Sequence, residues 1–338
     1  MTRRERVINS VNHKATVDYI PYNMDFTQQA WDKMAAFYRD ENFEERIGNH
    51  IIGAYYSGEQ EQIKEGYFRD DFGVVWNKTG ADKDIGVIDN IVIPEPDVSI
   101  YKFPDVPESV LRERCQGVVD GAGDRFTSAS LGFSLFERAW TLTGMENLLV
   151  YMVSEPAFVN SLLDKILEFN LKIINIYLDY DVDCIHFGDD WGQQKGLIMG
   201  PVMWRRFIKP RLAEMYGAAK TKGAFVSQHS CGDIREIMPD VIDIGLNIYQ
   251  TFQPEIYDIY ETKEAFGDKL TFWGGISTQR LLPFETPEIV IEKSAEIMRV
   301  VGSGGGLIAS PTHSIPGDVP AENMDALIRL FTNQKDYL

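Results

Sequence analysis

The residue types best suited to joint chemistry in this chain meet at His229-Ser-Cys231. On a strand, residues two apart point to the same face, so the imidazole and the thiol project together. An imidazole and a thiolate form a borderline-soft pair suited to zinc, and a catalytic zinc takes three protein ligands with one position left open. His313 is the candidate third ligand, because it ends another candidate strand and the chain has only five histidines, His13, His50, His186, His229 and His313. The plainer alternative is a strand-end histidine hydrogen-bonded to its neighbours. Asp189 and Asp190, at the end of a further apolar run, are candidate acids or substrate-positioning carboxylates, or a fourth ligand. The plainer alternative for them is one helix cap and one solvated side chain.

Other polar residues gather in the same way. Gln250 ends the run that begins at Leu246, and Arg138 in Phe136-Glu-Arg-Ala-Trp can hold a carboxylate or pair with Glu137 or a helix-surface partner. Gly302-Ser-Gly-Gly-Gly306 has the composition of a phosphate loop, but it precedes its strand and reads as a helix-ending turn.

These residues need elements to place them. The last two-thirds of the chain alternates short apolar runs with segments of helical period. The runs are Phe126 to Phe133, Asp183 to Phe187, Ala224 to Gln228, Leu246 to Tyr249, Leu270 to Trp273 and Gly306 to Ala309; the helical stretches include Met145 to Phe169, Trp204 to Thr221 and Pro287 to Val301. That alternation predicts a parallel sheet covered by helices, and the number of units, with no Gly-x-Gly-x-x-Gly after the first strand, favours a (β/α)8 barrel. In such a barrel the reactive groups sit just past the C-terminal ends of the strands. A leading helix from Arg3 to Asn12 and a strand from Tyr19 to Met24 are expected to open it. Residues 1–120 are less regular, and Phe68 to Pro107, with Val74-Val-Trp, Ile85-Gly-Val-Ile and Ile91-Val-Ile, reads as an extended or hairpin-rich insertion capping the barrel. Its aromatic residues, Trp76 among them, either wall a substrate cavity or belong to the core. No linker or repeat divides the chain, so residues 1–338 are expected to form one barrel domain.

Three groups of residues together, Gln228-His-Ser-Cys-Gly-Asp233, Trp273-Gly-Gly-Ile-Ser277 and the stretch from Ala309 to Asn323, resemble the uroporphyrinogen decarboxylase superfamily over essentially the whole chain. The resemblance implies a (β/α)8 barrel and two rival activities, tetrapyrrole decarboxylation and zinc-dependent corrinoid methyl transfer. In the decarboxylase branch an arginine-rich element near the N-terminus holds the substrate's carboxylates. The corresponding stretch here, Ile20 to Gln29, has no arginine and offers Asp25 instead, which disfavours a polyanionic substrate and makes Asp25 a candidate substrate contact. His313 matches the C-terminal histidine of the decarboxylases and does not discriminate. The methyltransferase branch holds zinc with His-x-Cys and a later cysteine. His229 and Cys231 match, but Ser310-Pro-Thr-His313 stands where that cysteine is expected, which also weighs against a thiol-methylating subgroup. Asp71-Phe-Gly-Val-Val-Trp, Asp82-Lys-Asp-Ile-Gly86 and Gly132 to Trp140 look like methyltransferases that take a methyl group from a methyl ether. Their implied acceptor is cob(I)alamin on a separate corrinoid protein. The chain has no corrinoid motif of its own, since Asp183-x-x-His186-x-Gly188 misses the corrinoid-binding pattern in register. A barrel that binds a small aromatic without this chemistry remains a third reading.

Composition bounds these readings. The 338 residues are 44% hydrophobic and 25% charged, ordinary globular usage. Lys plus Arg is 33 against 51 for Asp plus Glu, a net charge of −18. A surface that acidic repels phosphate backbones and anionic headgroups over roughly 8 Å, arguing against nucleic-acid or membrane partners. A corrinoid protein docking here is expected to present a neutral or basic face. Cys115, Cys184 and Cys231 are odd in number and widely spaced, which is no disulfide framework, and the start lacks an apolar leader. A reducing cytoplasm is the expected location, and a homodimer is left open.

Overall fold

The computed structural model describes residues 1–14, 18–80 and 86–338. Its strands in chain order are β1 (Ile51–Tyr56), β2 (Gln60–Lys64), β3 (Tyr67–Asp70), β4 (Val75–Asn77), β5 (Val87–Ile88), β6 (Phe126–Leu131), β7 (Cys184–Gly188), β8 (Phe225–His229), β9 (Ile248–Phe252), β10 (Thr271–Ile276) and β11 (Leu307–Pro311). Seven of them form one parallel sheet in the order β1-β6-β7-β8-β9-β10-β11. Residues 21–24 close the ring. Asn23 N donates to Ala309 O at 3.0 Å and Ala309 N to Pro21 O at 2.8 Å on one side, and His50 N donates to Tyr22 O at 3.1 Å on the other. The fold is therefore the expected α/β barrel, with residues 21–24 as its first staves.

Alternation along the strands sorts the side chains. Ile185, Phe187 and Val226 point outward, where the helix Pro156–Tyr177 buries Leu162, Leu163, Ile166, Ile173 and Ile174 at the three-and-four spacing of one apolar face. Each such aliphatic side chain contributes about 1.5–3 kcal/mol of burial. At the N-terminal end of the barrel Val7 and Val11, from the helix Arg3–Val11, pack on Ile51, Phe126, Cys184, Ile248 and Ile308 and plug it. Ser10 pins this plug to the last strand, its hydroxyl donating to Leu307 O at 2.7 Å and accepting from Leu307 N at 3.0 Å. Above the plug the inward positions are small or polar: Gly53, Ser128, Ser130, His186 and Ser227 stand where barrels of this kind usually pack branched aliphatics. The interior is therefore open toward the C-terminal ends of the strands.

The expected insertion lies between β1 and β6 as an antiparallel sheet in the order β2-β3-β4-β5. Ile91 to Ile93 is not one of its strands; Val92 N and Ile93 N both donate to Leu142 O instead. Residues 82–85 of the Asp82–Gly86 stretch lie outside the described residues. The single helix expected from Met145 to Phe169 is two, Met145–Ser154 and Pro156–Tyr177, because Pro156 starts a new helix at its first turn. A π turn at Trp204–Ile208 precedes the helix Lys209–Lys220. No helix among the described residues is long and apolar enough to cross a membrane.

Candidate active site and metal centre

His229 is the last residue of β8, and Cys231 follows just beyond it. The Cys231 sulfur lies 3.6 Å from His229 Nε2, and Asp190, two residues past β7, places Oδ1 3.4 Å from the same nitrogen. One donor atom from each of the three residues lies within 4.8 Å of the others, a separation that a single metal ion can span. An imidazole, a thiol and a carboxylate in one cluster are the donor types of a three-ligand zinc site. Gln250 orients the ring, since its Oε1 is hydrogen-bonded to His229 Nδ1. In the tautomer that satisfies this contact Nδ1 carries the proton and Nε2 presents its lone pair to the cluster. Without a metal, burial pushes the His229 proton off, while hydrogen bonds to Asp190 and Cys231 outweigh it and hold the ring's pKa well above the ordinary value.

The loops bearing these ligands touch backbone to backbone. Asp190 Oδ1 accepts from Cys231 N at 2.7 Å. A Cβ on Gly192 would fall 2.6 Å from Cys231 O, and Gly232 has a φ of +76°, so glycine is required where the two loops meet.

The cluster opens into a cavity of about 500 Å³ lined also by Asp25, Tyr55, Phe133, Glu137, His186, Trp273 and His313. The described lining residues include no Lys or Arg. Burial pushes the His186 imidazole down to about 3, so it is neutral, and its Nδ1 shares a hydrogen bond with Ser227 Oγ at 2.8 Å. His313 is likewise held below its ordinary value, by burial first and then by His229. Burial, reinforced by Asp190 and Asp189, raises the Glu137 carboxyl well above the carboxylate range.

The sequence-predicted residues divide by position. His229, Cys231, Asp190, Gln250 and Asp25 meet in or beside the cavity. His313 lines it too but is not the third member of the cluster. Its ring centroid is 5.9 Å from that of His229, and the neighbouring Thr312 is buried and bonded to Thr278 at 3.0 Å, which fixes the turn that carries it. Asp190 occupies the third place. Asp189 does not line the cavity: it is fully buried and accepts from Leu135 N, Phe136 N, Glu137 N and Trp191 Nε1, at 3.3, 3.0, 2.7 and 2.6 Å. It caps the helix Phe136–Thr143, which corrects its expected role as an acid. Burial pushes it up to about 6, against those hydrogen bonds.

Arg138 also turns away from substrate. It is 2% exposed, donates to Asp70 Oδ2 at 2.9 Å and to Ser57 O, and lies 3.9 Å over the Phe72 ring, so neither a substrate carboxylate nor Glu137 is its partner. Trp76, 3% exposed, donates to the same Asp70 oxygen at 3.2 Å. It lines an adjoining pocket of about 400 Å³ that shares Tyr55 and Phe133 with the main cavity.

Sequence reasoning missed Glu137, His186 and Trp273 as lining residues. The signal for His186 was present, since it shares the strand-alternation face of Gly188 on β7. Glu137 carried none, because its direction depends on the cap made by Asp189.

The comparisons with known proteins bear on this geometry. A model of the uroporphyrinogen decarboxylase (URO-D) family matches residues 80–333. The chain belongs to the uroporphyrinogen decarboxylase family. A uroporphyrinogen decarboxylase from Psychromonas ingrahamii is 21% identical over 245 residues, 70% of this chain and 65% of the relative. One from Coxiella burnetii is 23% identical over 190 residues, 54% of this chain and 49% of the relative. The chain thus spans about half to two-thirds of the length of these curated relatives. Among solved structures, a methyltransferase from Methanosarcina mazei covers 100% of both chains with a TM-score of 0.74 at 15% identity, a likeness of fold.

Proposed function

We propose that this member of the family is a methyltransferase that moves a methyl group from a small methylated substrate, foremost an aryl methyl ether, to cob(I)alamin carried by a separate corrinoid protein. The observation that carries the reading is the meeting of Asp190, His229 and Cys231 at the mouth of a cavity whose described lining has no Lys or Arg. A tetrapyrrole with many carboxylates needs several cationic side chains to hold it, and no Lys or Arg is among the described lining residues of this cavity. The donor set fits zinc, which His229, Cys231 and Asp190 would hold and which supplies Lewis acidity for a departing alkoxide or phenolate. The corrinoid of the partner supplies the nucleophile.

The chain's own residues do the remaining work. Gln250 fixes the His229 ring. Tyr55, Phe133 and Trp273 give flat apolar walls against which an aromatic ring stacks and from which it excludes water. Glu137, its carboxyl pushed well above the carboxylate range by burial and by Asp190 and Asp189, stands on the cavity wall as the proton donor to a leaving oxygen.

Purified protein should contain zinc near one equivalent per chain by elemental analysis. Adding it to a reduced corrinoid protein with methoxyphenols should discharge the cob(I)alamin absorbance. The Cys231→Ser variant should lose metal and methyl transfer together. No discharge with methoxyphenols, methanol or methylamines, or conversion of uroporphyrinogen by metal-free protein, would end this reading.

A further inference from the structure

We propose that His186, held by Ser227, binds a hydroxyl of the methyl donor on the side of its ring away from the methoxy group, so that 3- and 4-methoxyphenols are the favoured class. This rests on the proposed methyl-ether chemistry and names its substrate more closely. The argument begins from direction. Val7 and Val11 plug the N-terminal end of the barrel, so a corrinoid protein reaches the cavity from the C-terminal mouth. The methyl group must face that mouth, because displacement needs the nucleophile aligned with the bond it breaks. The rest of the donor therefore points down the barrel, toward its floor.

Strand register gives that floor its composition. Gly188, His229, Gln250 and Trp273 are register partners across β7 to β10 and form the layer nearer the mouth. Ser130, His186 and Ser227 are register partners one inward position earlier, roughly 6.6 Å back along the strands. A ligand ring that starts at the upper layer thus brings its far side to the lower one. His186 is half-buried and lines the cavity, its ring centroid 5.6 Å from that of Trp273 and 6.5 Å from that of His229. Its Nδ1 is engaged by Ser227 Oγ at 2.8 Å, which fixes the ring's rotation, while Nε2 has no partner among the described residues. In one tautomer Nε2 offers a proton and in the other a lone pair, and a hydroxyl answers both. A donor with adjacent oxygens, such as 2-methoxyphenol, keeps both of them at the mouth and leaves His186 unmatched.

The test is direct binding to the full-length protein by calorimetry, with no corrinoid present. The probes are 2-, 3- and 4-methoxyphenol and methoxybenzene. The better of the 3- and 4-isomers is expected to bind about tenfold more tightly than 2-methoxyphenol and methoxybenzene, the worth of one matched hydrogen bond. His186→Phe should bring all four affinities within about threefold by weakening the 3- and 4-isomers, with little change for methoxybenzene. Ser227→Ala, which releases the ring and leaves Nε2 in place, is the second variant should His186→Phe fail to fold; it should cut the same advantage at least about threefold. Equal affinities in the unaltered protein, tightest binding of 2-methoxyphenol, or no binding of any probe overturns the inference. An advantage that survives either substitution overturns it as well, since another group then reads the hydroxyl. The expected order of binding without methyl transfer leaves the inference standing and removes the proposed reaction, and methyl transfer without that order does the reverse.

Discussion

The Asp189 carboxylate accepts from three successive backbone N–H groups at the start of the helix Phe136–Thr143 and from the Trp191 indole, while the next residue along turns its carboxylate to His229 and Cys231. Asp189 therefore fixes two things at once, the loop that carries Asp190 and the helix start that carries Glu137. Asp189→Ala should leave those N–H groups buried without partners, lowering stability by about 2–4 kcal/mol. With zinc held by Asp190, His229 and Cys231 as proposed, it should also weaken the metal about 10–100-fold, the usual cost of losing a group that orients metal ligands. Thermal melts and a chelator competition read both effects; an intact melt and metal affinity with activity alone abolished would make Asp189 a direct acid instead. The pairing His229 and Cys231 was legible because the two lie two residues apart at a strand end. The third partner was not, because Asp189 and Asp190 look alike in sequence and only the donors around them separate cap from ligand.

Between elements, the buried Arg138–Asp70 pair joins the helix Phe136–Thr143 to the inserted sheet, with Asp70 also accepting from Phe72 N, Val74 N and Trp76 Nε1. Arg138→Met should destabilise the protein by about 3–5 kcal/mol, because it strands a buried carboxylate. Adding Asp70→Asn should return part of that loss in denaturant titrations, whereas additive losses would show that the two side chains are not energetically coupled. Legibility varied between elements for a physical reason. The helix Pro287–Val301 matches its predicted bounds because its apolar face and Thr286 cap are local. β9 and β10 run on through Gln250 to Phe252 and Gly274 to Ile276, past the predicted ends, because a strand that walls a cavity stops being apolar before it stops being a strand. β1 went unread for the same reason, since Gly53 and the tyrosines Tyr55 and Tyr56 interrupt its pattern.

For the molecule as a whole, stability should fall on acidification through His50. Its backbone joins the closing segment to β1 and β6, and its ring, 1% exposed, packs edge-on against Tyr22 at 4.4 Å between centroids. Burial first, then Arg6 and Arg3, pushes its pKa down to about 3 from an ordinary 6.5. The folded state thus resists a proton that the unfolded state takes up, so this stability is complete above pH 6.5 and is lost as the pH falls from there toward 3. The loss at pH 5 relative to pH 8 should be about 2 kcal/mol from this residue alone. A His50→Gln variant should show a correspondingly shallower pH dependence of its denaturant midpoint, and an unchanged slope would remove His50 as the cause.

The same seam governs how the chain can fold during synthesis. Residues 21–24 have one neighbour in β1, made early, but their other neighbour is Ala309 in the last strand. A growing chain must therefore carry an unpaired strand edge until nearly all of it has emerged, and that edge is a template for pairing with another nascent chain. The buried plug helix is in the same position, because the backbone groups that Ser10 bonds belong to Leu307. Ring closure is thus the late event on which both ends of the barrel depend, and shielding of that edge, by a chaperone or by the inserted sheet, becomes part of how the site is made.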